Sequence, residues 1–404
     1  MKFPPIKEQI DLLSRGVEDF VSPEGLEKKL VKSAASGKPL RVKLGADPSR
    51  PDLHIGHAVV LRKLRQFQDL GHQAVLIIGD FTASIGDPTG RNKTRPSITL
   101  EQAREYGKSY LEQASIILDQ NRLEVVHNSD WLNTMNFSEV IQLAAQVTVA
   151  QMLERDDFSK RYKSGTPISL HEFLYPLAQA QDSVHLKSDV ELGGTDQLFN
   201  LLMGRELQKK MQQPQQIIMT LPLLEGTDGV EKMSKSYDNY IGLADKPAEM
   251  FGKVLSIPDN MIIKYLTLTT NLSMDSIDVI KSKMAAGENP RDFKRQLGRE
   301  LVNVYYDEAS GIAAQEAFDE LFIKKDIPDE MPEQQLNAGE ATTLLTVLDE
   351  SGLFGSKGDI RRLIKQNAVS IDKAKITDEY FGFSTPGEFV IKAGKRKFIR
   401  IFCK

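Results

Sequence analysis

Apolar residues change their spacing several times along the chain, and each spacing predicts a different element. Residues 40–45 and 73–79 are short apolar runs typical of buried strands, whereas residues 58–70 carry apolar side chains at helical spacing and end at Gly71. A strand, a helix and a strand in this order indicate a parallel crossover. The predicted fold class is therefore α/β, with a doubly wound parallel sheet in the first domain.

Further elements follow along the chain. Thr99 and Gln102 have the spacing of a capping box, which predicts the start of another helix. Strands are also expected at 123–127, at 215–220 and, before a glycine turn and a helix start, within 190–197. From residue 247 to about residue 325 the pattern is helical throughout.

The end of the chain has a different organisation. Residues 326–340 are acidic, contain prolines and lack periodicity, which indicates a linker or a domain seam. Two short helices and three short strands are expected after it. We predict an α/β domain with an insertion at 1–225, a loop and helical domain at 226–326, a linker at 327–342 and a small α+β domain at 343–404.

Composition excludes several classes of protein. The chain has 404 residues, of which 40% are apolar and 27% charged, as in ordinary globular proteins of two or three domains. No apolar run approaches the roughly 18 residues that a membrane span needs, and the N-terminal residues lack the apolar core of a secretory signal. The single cysteine, Cys403, excludes an internal disulfide framework and a cysteine zinc site. A cytoplasmic location is the default expectation.

Charge is distributed unevenly along the chain. Residues 343–404 contain 12 Lys or Arg against 7 Asp or Glu, a net charge of +5, so the other 342 residues carry −9 of the total of −4. A basic tail on an acidic body suits a polyanion-binding module, although a solvated surface would look the same. Residues 136–155 are helical in pattern and unusually apolar, which suits either a domain core or a subunit interface.

The first candidate site is His54-Ile-Gly-His57, which lies between the strand at 40–45 and the helix that follows. Two histidines three residues apart share one helix face, and the N–H groups of a first helical turn favour an anion. Gly56 removes a side chain where a flat ligand could approach. Taken alone, such a short pattern more often belongs to a capped helix with two partly buried histidines, because it recurs by accident.

A second motif, Lys232-Met-Ser-Lys235-Ser236, follows about 180 residues later beside Gly226 and Gly229, which are expected to let this loop move. Lysines on flexible stems suit a triphosphate, although a lone Lys-x-x-Lys is usually a solvated surface. Together, the two motifs resemble those of the class I aminoacyl-tRNA synthetases. That resemblance implies catalytic roles for His54, His57, Lys232 and Lys235. It implies ATP binding by Pro48, His54, Gly56, His57, Gly194, Asp196, Lys232, Met233, Ser234, Lys235 and Ser236.

Further segments resemble the bacterial tyrosyl-tRNA synthetases along nearly the whole chain. They are 45–48, 85–88, 175–182 and 193–197. Tyr175, Gln179 and Asp182 share one helix face; this polar stripe could be solvated, or it could need a ligand as its buried partner. The resemblance implies tyrosine binding by Gly45, Asp87, Tyr175, Gln179, Asp182 and Gln197, with Asp182 accepting the phenol hydroxyl.

Two positions depart from the family pattern. Lys43 stands where many members have a tyrosine that touches the substrate hydroxyl, and Val60 stands where a threonine is common. The Lys43 ammonium could donate to the substrate, pair with Asp182 or point away. Val60 removes one possible nucleotide contact.

The resemblance also indicates which ligands and partners to expect. ATP would be a substrate accompanied by Mg²⁺, with no tightly bound cofactor and no protein metal site. The tail resembles a domain named after a small-subunit ribosomal protein, which implies tRNA binding by Arg361, Arg362, Lys365, Lys395, Arg396 and Lys397. The family is dimeric through the segment at 136–155, which favours an interface there. The alternatives are a tryptophanyl enzyme, a smaller nucleotidyltransferase and a non-catalytic RNA-binding relative.

Overall fold

The computed structural model describes residues 3–48, 53–89, 98–325, 331–336, 342–372, 374–383, 386–394 and 397–403. The chain divides into two compact units, residues 1–315 and 316–404, and each is described by itself. In the described ranges, no helix is both long and apolar enough to cross a membrane.

The first unit is organised around one sheet. Its strands are β1 (Phe20–Val21), β2 (Arg41–Ala46), β3 (Gln73–Ile78), β4 (Leu123–His127), β5 (Val190–Gly194) and β6 (Ile217–Leu221). They lie in the order β1-β6-β5-β2-β3-β4. Strands β2 to β6 are parallel, and β1 is antiparallel to β6. The chain runs outward from β2 through β3 and β4, then returns to the other side of β2 with β5. The predicted doubly wound sheet is confirmed, and its switch point lies between β2 and β5, where such sheets bind ligands.

Helices cover both faces of this sheet and continue beyond it. They are α1 (Ile6–Ser14), α2 (Pro23–Ser36), α3 (Ile55–Asp69), α4 (Asp80–Ile85), α5 (Leu100–Ala114), α6 (Ser129–Leu132), α7 (Phe137–Ala144), α8 (Val149–Met152), α9 (Asp156–Lys163), α10 (Leu170–Leu186), α11 (Leu198–Lys210), α12 (Pro247–Ser256), α13 (Ile262–Thr269), α14 (Met274–Ala285), α15 (Pro290–Tyr305) and α16 (Glu308–Lys325). The capping box predicted at Thr99 and Gln102 starts α5. The helical pattern predicted from residue 247 onward is also confirmed.

Burial explains the apolar patterns of the sheet and of its first crossover helix. Strand β6 is buried along its whole length, and β3 is buried in all but its first residue, as expected of strands covered on both faces. In α3, Leu61, Leu64 and Phe67 are fully buried. Packing against the sheet therefore holds the start of α3, with its two histidines, at the carboxyl ends of the strands.

The second unit has its own sheet and core. Its remaining helices are α17 (Leu344–Glu350) and α18 (Lys357–Lys365), and its strands are β7 (Glu333–Leu336), β8 (Val369–Ile371), β9 (Ala374–Lys375), β10 (Gly387–Ala393) and β11 (Lys397–Cys403). The sheet order is β7-β11-β10-β8-β9. Leu344, Ile360, Ile391 and Ile401 are fully buried in a core of this unit. The helices and strands predicted after residue 343 are confirmed.

One part of the predicted linker at 327–342 is a strand. Glu333–Leu336 forms β7, which pairs in parallel with β11, and Leu336 is buried in the core of the second unit. Residues 326–330 and 337–341 lie outside the described residues. The pairing partner is more than sixty residues away, so local periodicity contains no sign of this strand. The domain boundaries themselves stay predictions.

Candidate active site

A cavity of about 430 Å³ lies at the carboxyl ends of the central strands, a size typical of small-molecule sites. It brings together the predicted tyrosine and ATP residues Gly45, His54, Gly56, His57, Asp87, Tyr175, Gln179, Asp182, Gly194, Asp196, Gln197, Lys232, Met233, Ser234, Lys235 and Ser236. Pro48 is buried but is not among the lining residues. The individual roles of these residues stay predictions.

His54 and His57 share one face of the first turn of α3. His54 is the N-cap residue, its backbone N–H donates to His57 Nδ1 at 3.3 Å, and the two ring centroids are 3.8 Å apart. A Cβ at Gly56 would come within 3.0 Å of His54 Nδ1 and 3.6 Å of Met233 Cβ. Gly56 therefore leaves room for the His54 imidazole, and because Gly56 also lines the cavity, the approach of a flat ligand to its backbone stays a prediction.

Both imidazoles are neutral at physiological pH. Burial, reinforced by the charges of His57 and Lys235, lowers the pKa of His54 to about 2. Burial and then the ammonium groups of Lys232 and Lys235 lower the pKa of His57 to about 4. His54 Nδ1 is buried and has no hydrogen-bond partner among the described residues. The rings can therefore serve as uncharged hydrogen-bonding groups for a ligand.

Backbone hydrogen bonds hold the lysine loop beside the histidines. Ile55 N donates to Ile241 O at 2.9 Å, Leu243 N donates to Leu53 O at 3.2 Å, and His54 forms an isolated bridge with Gly242. Residues 241–243 follow the Lys232-Met-Ser-Lys-Ser loop after only four intervening residues. The two motifs therefore lie side by side, and both line the cavity.

The loop is packed more closely than its glycines suggested. Asn239 accepts from Ser234 N at 2.8 Å and donates to Asp228 at 2.6 Å. A Cβ at Gly226 would clash with the Asn239 side chain. Gly229 has a φ of 69° and lies against Pro258. In this conformation Gly226 is required by close approach and Gly229 by backbone geometry, and the movement of the loop stays a prediction.

Asp182 forms the floor of the amino-acid end of the cavity. It lies on α10, and Trp131 Nε1 donates to its Oδ1 at 2.9 Å while Asn128 Nδ2 donates to its Oδ2 at 3.3 Å. Burial raises the pKa of Asp182 to about 7, against the opposing effect of Lys43. Sequence reasoning missed Asn128 and Trp131. The signal was present, because they follow β4, whose carboxyl end lies at the same edge of the sheet.

Lys43 points towards Glu191, and this resolves the alternatives left open by the sequence. The two residues are neighbours on the parallel strands β2 and β5, and Lys43 Nζ lies 2.9 Å from Glu191 Oε1. Both side chains are almost fully buried. Glu191 also accepts from Gln179 Nε2 at 3.2 Å. Because an acceptor holds the amide nitrogen, the Gln179 oxygen is left for the cavity that it lines.

The opposite end of the amino-acid site contains three polar side chains predicted from the sequence. Gln197 Nε2 donates to Asp87 Oδ2 at 2.9 Å, and the Tyr175 hydroxyl donates to Asp47 Oδ2 at 2.9 Å. By donating to a carboxylate, the Tyr175 oxygen presents its lone pairs to other donors. Asp47 lines the cavity but was not among the predicted site residues.

Asp196 lies in the part of the cavity between the amino-acid end and the lysine loop. Burial and the nearby charge of Asp87 raise its pKa, whereas Lys232 lowers it. A Cβ at Gly194 would come within 2.6 Å of Asp196 Oδ1, so glycine is needed for this arrangement. Within the described ranges, no group of three or more His, Cys, Asp or Glu side chains could hold a metal ion.

Four of the predicted tRNA-binding cations of the tail are described, and all four are exposed. Arg361 pairs with Glu379 at 2.6 Å, and Arg362 pairs with Asp359 at 3.0 Å. Lys397 Nζ donates to the backbone oxygen of Leu353 at 2.6 Å. Lys365 is exposed on α18. Lys395 and Arg396 lie outside the described residues.

Comparison with known proteins identifies the family. Residues 35–323 match the family of class I tRNA synthetases for tryptophan and tyrosine (W and Y). The chain belongs to this family. It is similar to the tyrosine--tRNA ligase of Salinibacter ruber, with 53% identity over 99% of this chain and 98% of that protein. The tyrosine--tRNA ligase of Thermotoga maritima is 54% identical over 98% of this chain and 97% of its own length.

Solved structures share the fold at lower identity. The tyrosyl-tRNA synthetase of Archaeoglobus fulgidus, solved with L-tyrosine, superposes with a TM-score of 0.62 at 22% identity, over 77% of this chain and all of that chain. The truncated mitochondrial enzyme of Aspergillus nidulans gives a TM-score of 0.63 at 24% identity, over 78% of this chain and 94% of that chain. At these identities the similarity concerns the fold.

Proposed function

We propose that this chain is a tyrosine–tRNA ligase. In the first step, a carboxylate oxygen of tyrosine attacks the α-phosphorus of ATP, and the bond to pyrophosphate breaks. In the second step, a hydroxyl at the 3′ end of tRNA(Tyr) attacks the carbonyl of tyrosyl-adenylate and releases AMP. The observation that carries the proposal is a single cavity in which both nucleotide motifs meet a buried carboxylate, Asp182.

Catalysis in this site would depend on positioning and on charge stabilisation. No covalent bond to the protein is needed, because holding the carboxylate in line with the phosphorus and stabilising phosphoryl charge can carry such a reaction. The neutral rings of His54 and His57 would donate to phosphate oxygens. Lys232 and Lys235 would neutralise charge on the departing pyrophosphate. Mg²⁺ would enter with ATP, since it is usually held by substrate phosphates and one or two carboxylates.

Recognition of tyrosine would come from both ends of the amino-acid site. Asp182, oriented by Trp131 and Asn128, would accept the phenol hydroxyl. Asp87 and Gln179 would hold the α-ammonium group together with Tyr175. Gln197 would lie near the carboxylate, and the remaining predicted contacts are Gly45 with the amino acid and Gly194 and Asp196 with the ribose.

The experiment that tests the function is ATP–pyrophosphate exchange with each of the twenty amino acids supplied singly. Exchange with tyrosine alone is expected, because a buried acceptor rejects an analogue that lacks the hydroxyl. Exchange with tryptophan instead of tyrosine would support the proposed nucleotide site but contradict the assignment of the amino-acid pocket to tyrosine. Exchange with none of the amino acids would favour a non-catalytic RNA-binding protein.

We also propose that the chain forms a homodimer through the apolar segment at 136–155. In the monomer, Phe137 is 80% exposed, Ile141 54% and Val149 64%, and Leu170 at the start of α10 is 83% exposed. Exposed apolar side chains that cluster on neighbouring helices are typical of protein interfaces. This exposure favours the interface over the alternative of a domain core.

The second unit is proposed to contact tRNA phosphates through Arg361, Arg362, Lys365, Lys395, Arg396 and Lys397. The ion pairs of Arg361 and Arg362 are exposed. Exposed pairs contribute little to stability because water and salt screen their charges, so phosphates can replace their carboxylate partners. Because tRNA is charged where ribosomes consume it, the proposed location is the cytoplasm.

A further inference from the structure

Arg155 is a buried arginine in the segment between α8 and α9. Its guanidinium contacts several surrounding side chains. Its side chain is 6% exposed. Nη1 donates to Asn200 Oδ1 at 3.2 Å, and Nη2 donates to Thr89 Oγ1 at 3.0 Å. Asp157 accepts from Nε at 2.8 Å and from Nη2 at 3.1 Å. The guanidinium also lies 4.8 Å from the ring centroid of Phe158.

Two of the side chains that contact Arg155, Thr89 and Asn200, are both connected by hydrogen bonds to the carboxylate of Asp87. On one side, Thr89 Oγ1 donates to Asp87 Oδ1 at 2.5 Å. On the other side, Asn200 Nδ2 donates to Gln197 Oε1 at 2.9 Å, and Gln197 Nε2 donates to Asp87 Oδ2 at 2.9 Å. The five side chains therefore form a closed ring that engages both oxygens of Asp87.

Only two members of this ring reach the cavity. Asp87 and Gln197 line it, whereas Arg155, Thr89 and Asn200 lie behind them. Arg155 Nη2 is 3.7 Å from Asp87 Oδ1, beyond hydrogen-bond distance. Besides this buried ion pair, Arg155 acts on the carboxylate through the hydroxyl of Thr89 and the amides of Asn200 and Gln197.

We propose that Arg155 is a positioning residue that sets the Asp87 carboxylate for the α-ammonium group of the substrate. The planar guanidinium presents several donors in fixed directions and stays charged at every accessible pH. It therefore fixes the rotamer of Thr89, which donates to Asp87 Oδ1, and the orientation of the Asn200 amide, which acts on Asp87 Oδ2 through Gln197. This inference rests on the proposed function, and it adds a residue that does not touch the substrate.

The test compares two ligands that differ only in the ammonium group. Equilibrium binding to the full chain is measured with tyrosine and with 3-(4-hydroxyphenyl)propanoate, which keeps the phenol and the carboxylate. In Arg155→Gln, the Asp87 carboxylate would lose its orientation towards the α-ammonium group. The affinity for tyrosine is therefore expected to fall about ten- to a hundred-fold, the range for a lost hydrogen bond to a charged group. The affinity for the analogue and the KM for ATP are both expected to change much less than the affinity for tyrosine.

Arg161 on α9 offers a matched control. It is another buried arginine, and its Nη1 lies 2.5 Å from Glu172 Oε2, away from the Asp87 ring. Arg161→Gln should lower stability but leave the ratio of the two affinities unchanged. Thr89→Val is the second test variant, because it breaks one link of the ring and leaves the pair of Arg155 and Asp157 in place. This variant should lower the ratio of the affinity for tyrosine to the affinity for the analogue, as Arg155→Gln does, but by a smaller factor.

The outcomes separate this inference from the proposed function. If the unaltered protein fails to bind tyrosine, the proposed function is wrong. If it binds tyrosine but Arg155→Gln weakens both ligands equally, Arg155 is only structural and the inference is overturned. Should Arg155→Gln fail to fold, an unchanged affinity ratio in Thr89→Val would overturn it instead.

Discussion

Lys43 Nζ lies 2.9 Å from Glu191 Oε1, and both side chains are almost fully removed from solvent directly behind the amino-acid site. Glu191 also accepts from Ser183 Oγ at 3.1 Å and from Gln216 Nε2. Lys43 thus pairs with a second carboxylate, Glu191, rather than with Asp182. Lys43 acts on Asp182 through space, where its charge lowers the pKa that burial raises.

Removing both charges of this pair should move the acid limb of activity to higher pH. Lys43 has a larger effect on the pKa of Asp182 than Glu191 has, so Lys43→Met/Glu191→Gln should raise that pKa above its value of about 7. The pocket accepts the phenol through the ionised carboxylate, and protonation would then begin at higher pH. The measurement is kcat/KM for tyrosine against pH, which reports groups of the unliganded enzyme.

Single variants and a surface variant provide the comparison. Lys43→Met alone leaves an unpaired buried carboxylate and should lower the free energy of unfolding by about 3–5 kcal/mol. Lys29→Met removes the cation of a more exposed pair with Asp189 and should leave the acid limb in place. An unmoved acid limb in the double variant would show that Lys43 does not tune Asp182.

Asp182→Ala should abolish the preference for tyrosine over phenylalanine. A site built to bind a hydroxyl rejects the analogue without it by roughly 10⁴–10⁵-fold, and this substitution removes the acceptor. Trp131→Phe, which removes only the Nε1 donor to Asp182, should cause a smaller loss. The measurement is the ratio of kcat/KM for the two amino acids in pyrophosphate exchange. Unchanged discrimination in Asp182→Ala would contradict the pocket assignment.

Lys235→Ala should lower kcat of adenylate formation by roughly 10²–10³-fold, the range for removing one preorganised charge-stabilising group. Because the ammonium would act on the departing pyrophosphate, equilibrium binding of tyrosine should be unchanged. Lys281→Ala, at an exposed position of α14, is the control for loss of one positive charge. A loss confined to tyrosine affinity would place Lys235 outside the proposed role.

Phe137→Asp should convert a dimer into monomers. The side chain is 80% exposed on α7, and a charge there would have to be desolvated in the proposed interface, at a cost of several kcal/mol. Light scattering after size-exclusion chromatography measures the mass. Val279→Asp, at a position of α14 that is 55% exposed, is the matched control and should leave the mass unchanged. A monomeric unaltered protein would contradict the interface.

Lys365→Ala should weaken tRNA binding and reduce its salt dependence. Each lost phosphate contact lowers the slope of log affinity against log salt by about one. Adenylate formation is proposed for the cavity of the first unit and should be unaffected. Glu350→Ala removes a charge of the other sign from the same unit and serves as a control. Equal tRNA affinity for Lys365→Ala and the unaltered protein would exclude a phosphate contact at this position.

Most of the fold could be predicted from the sequence because its signals are local. The apolar run of β3, the helical spacing in α3 and the capping box of Thr99 involve residues only a few positions apart. The strand–helix–strand order then restricts the topology, since crossovers between parallel strands have one common handedness. Strand β7 escaped prediction because its pairing with β11 is not local.

The amino-acid sequence by itself determined the two nucleotide motifs and the helix face that carries Tyr175, Gln179 and Asp182. Only the tertiary structure decided which groups surround them. Trp131 reaches Asp182 across 51 positions of the chain, and Lys43 reaches Glu191 on a neighbouring strand. Such contacts depend on how separate elements pack, and no spacing along the chain encodes them. The hydrogen-bonded ring of side chains around Asp87 also joins residues of separate elements, so it could be found only in the three-dimensional structure.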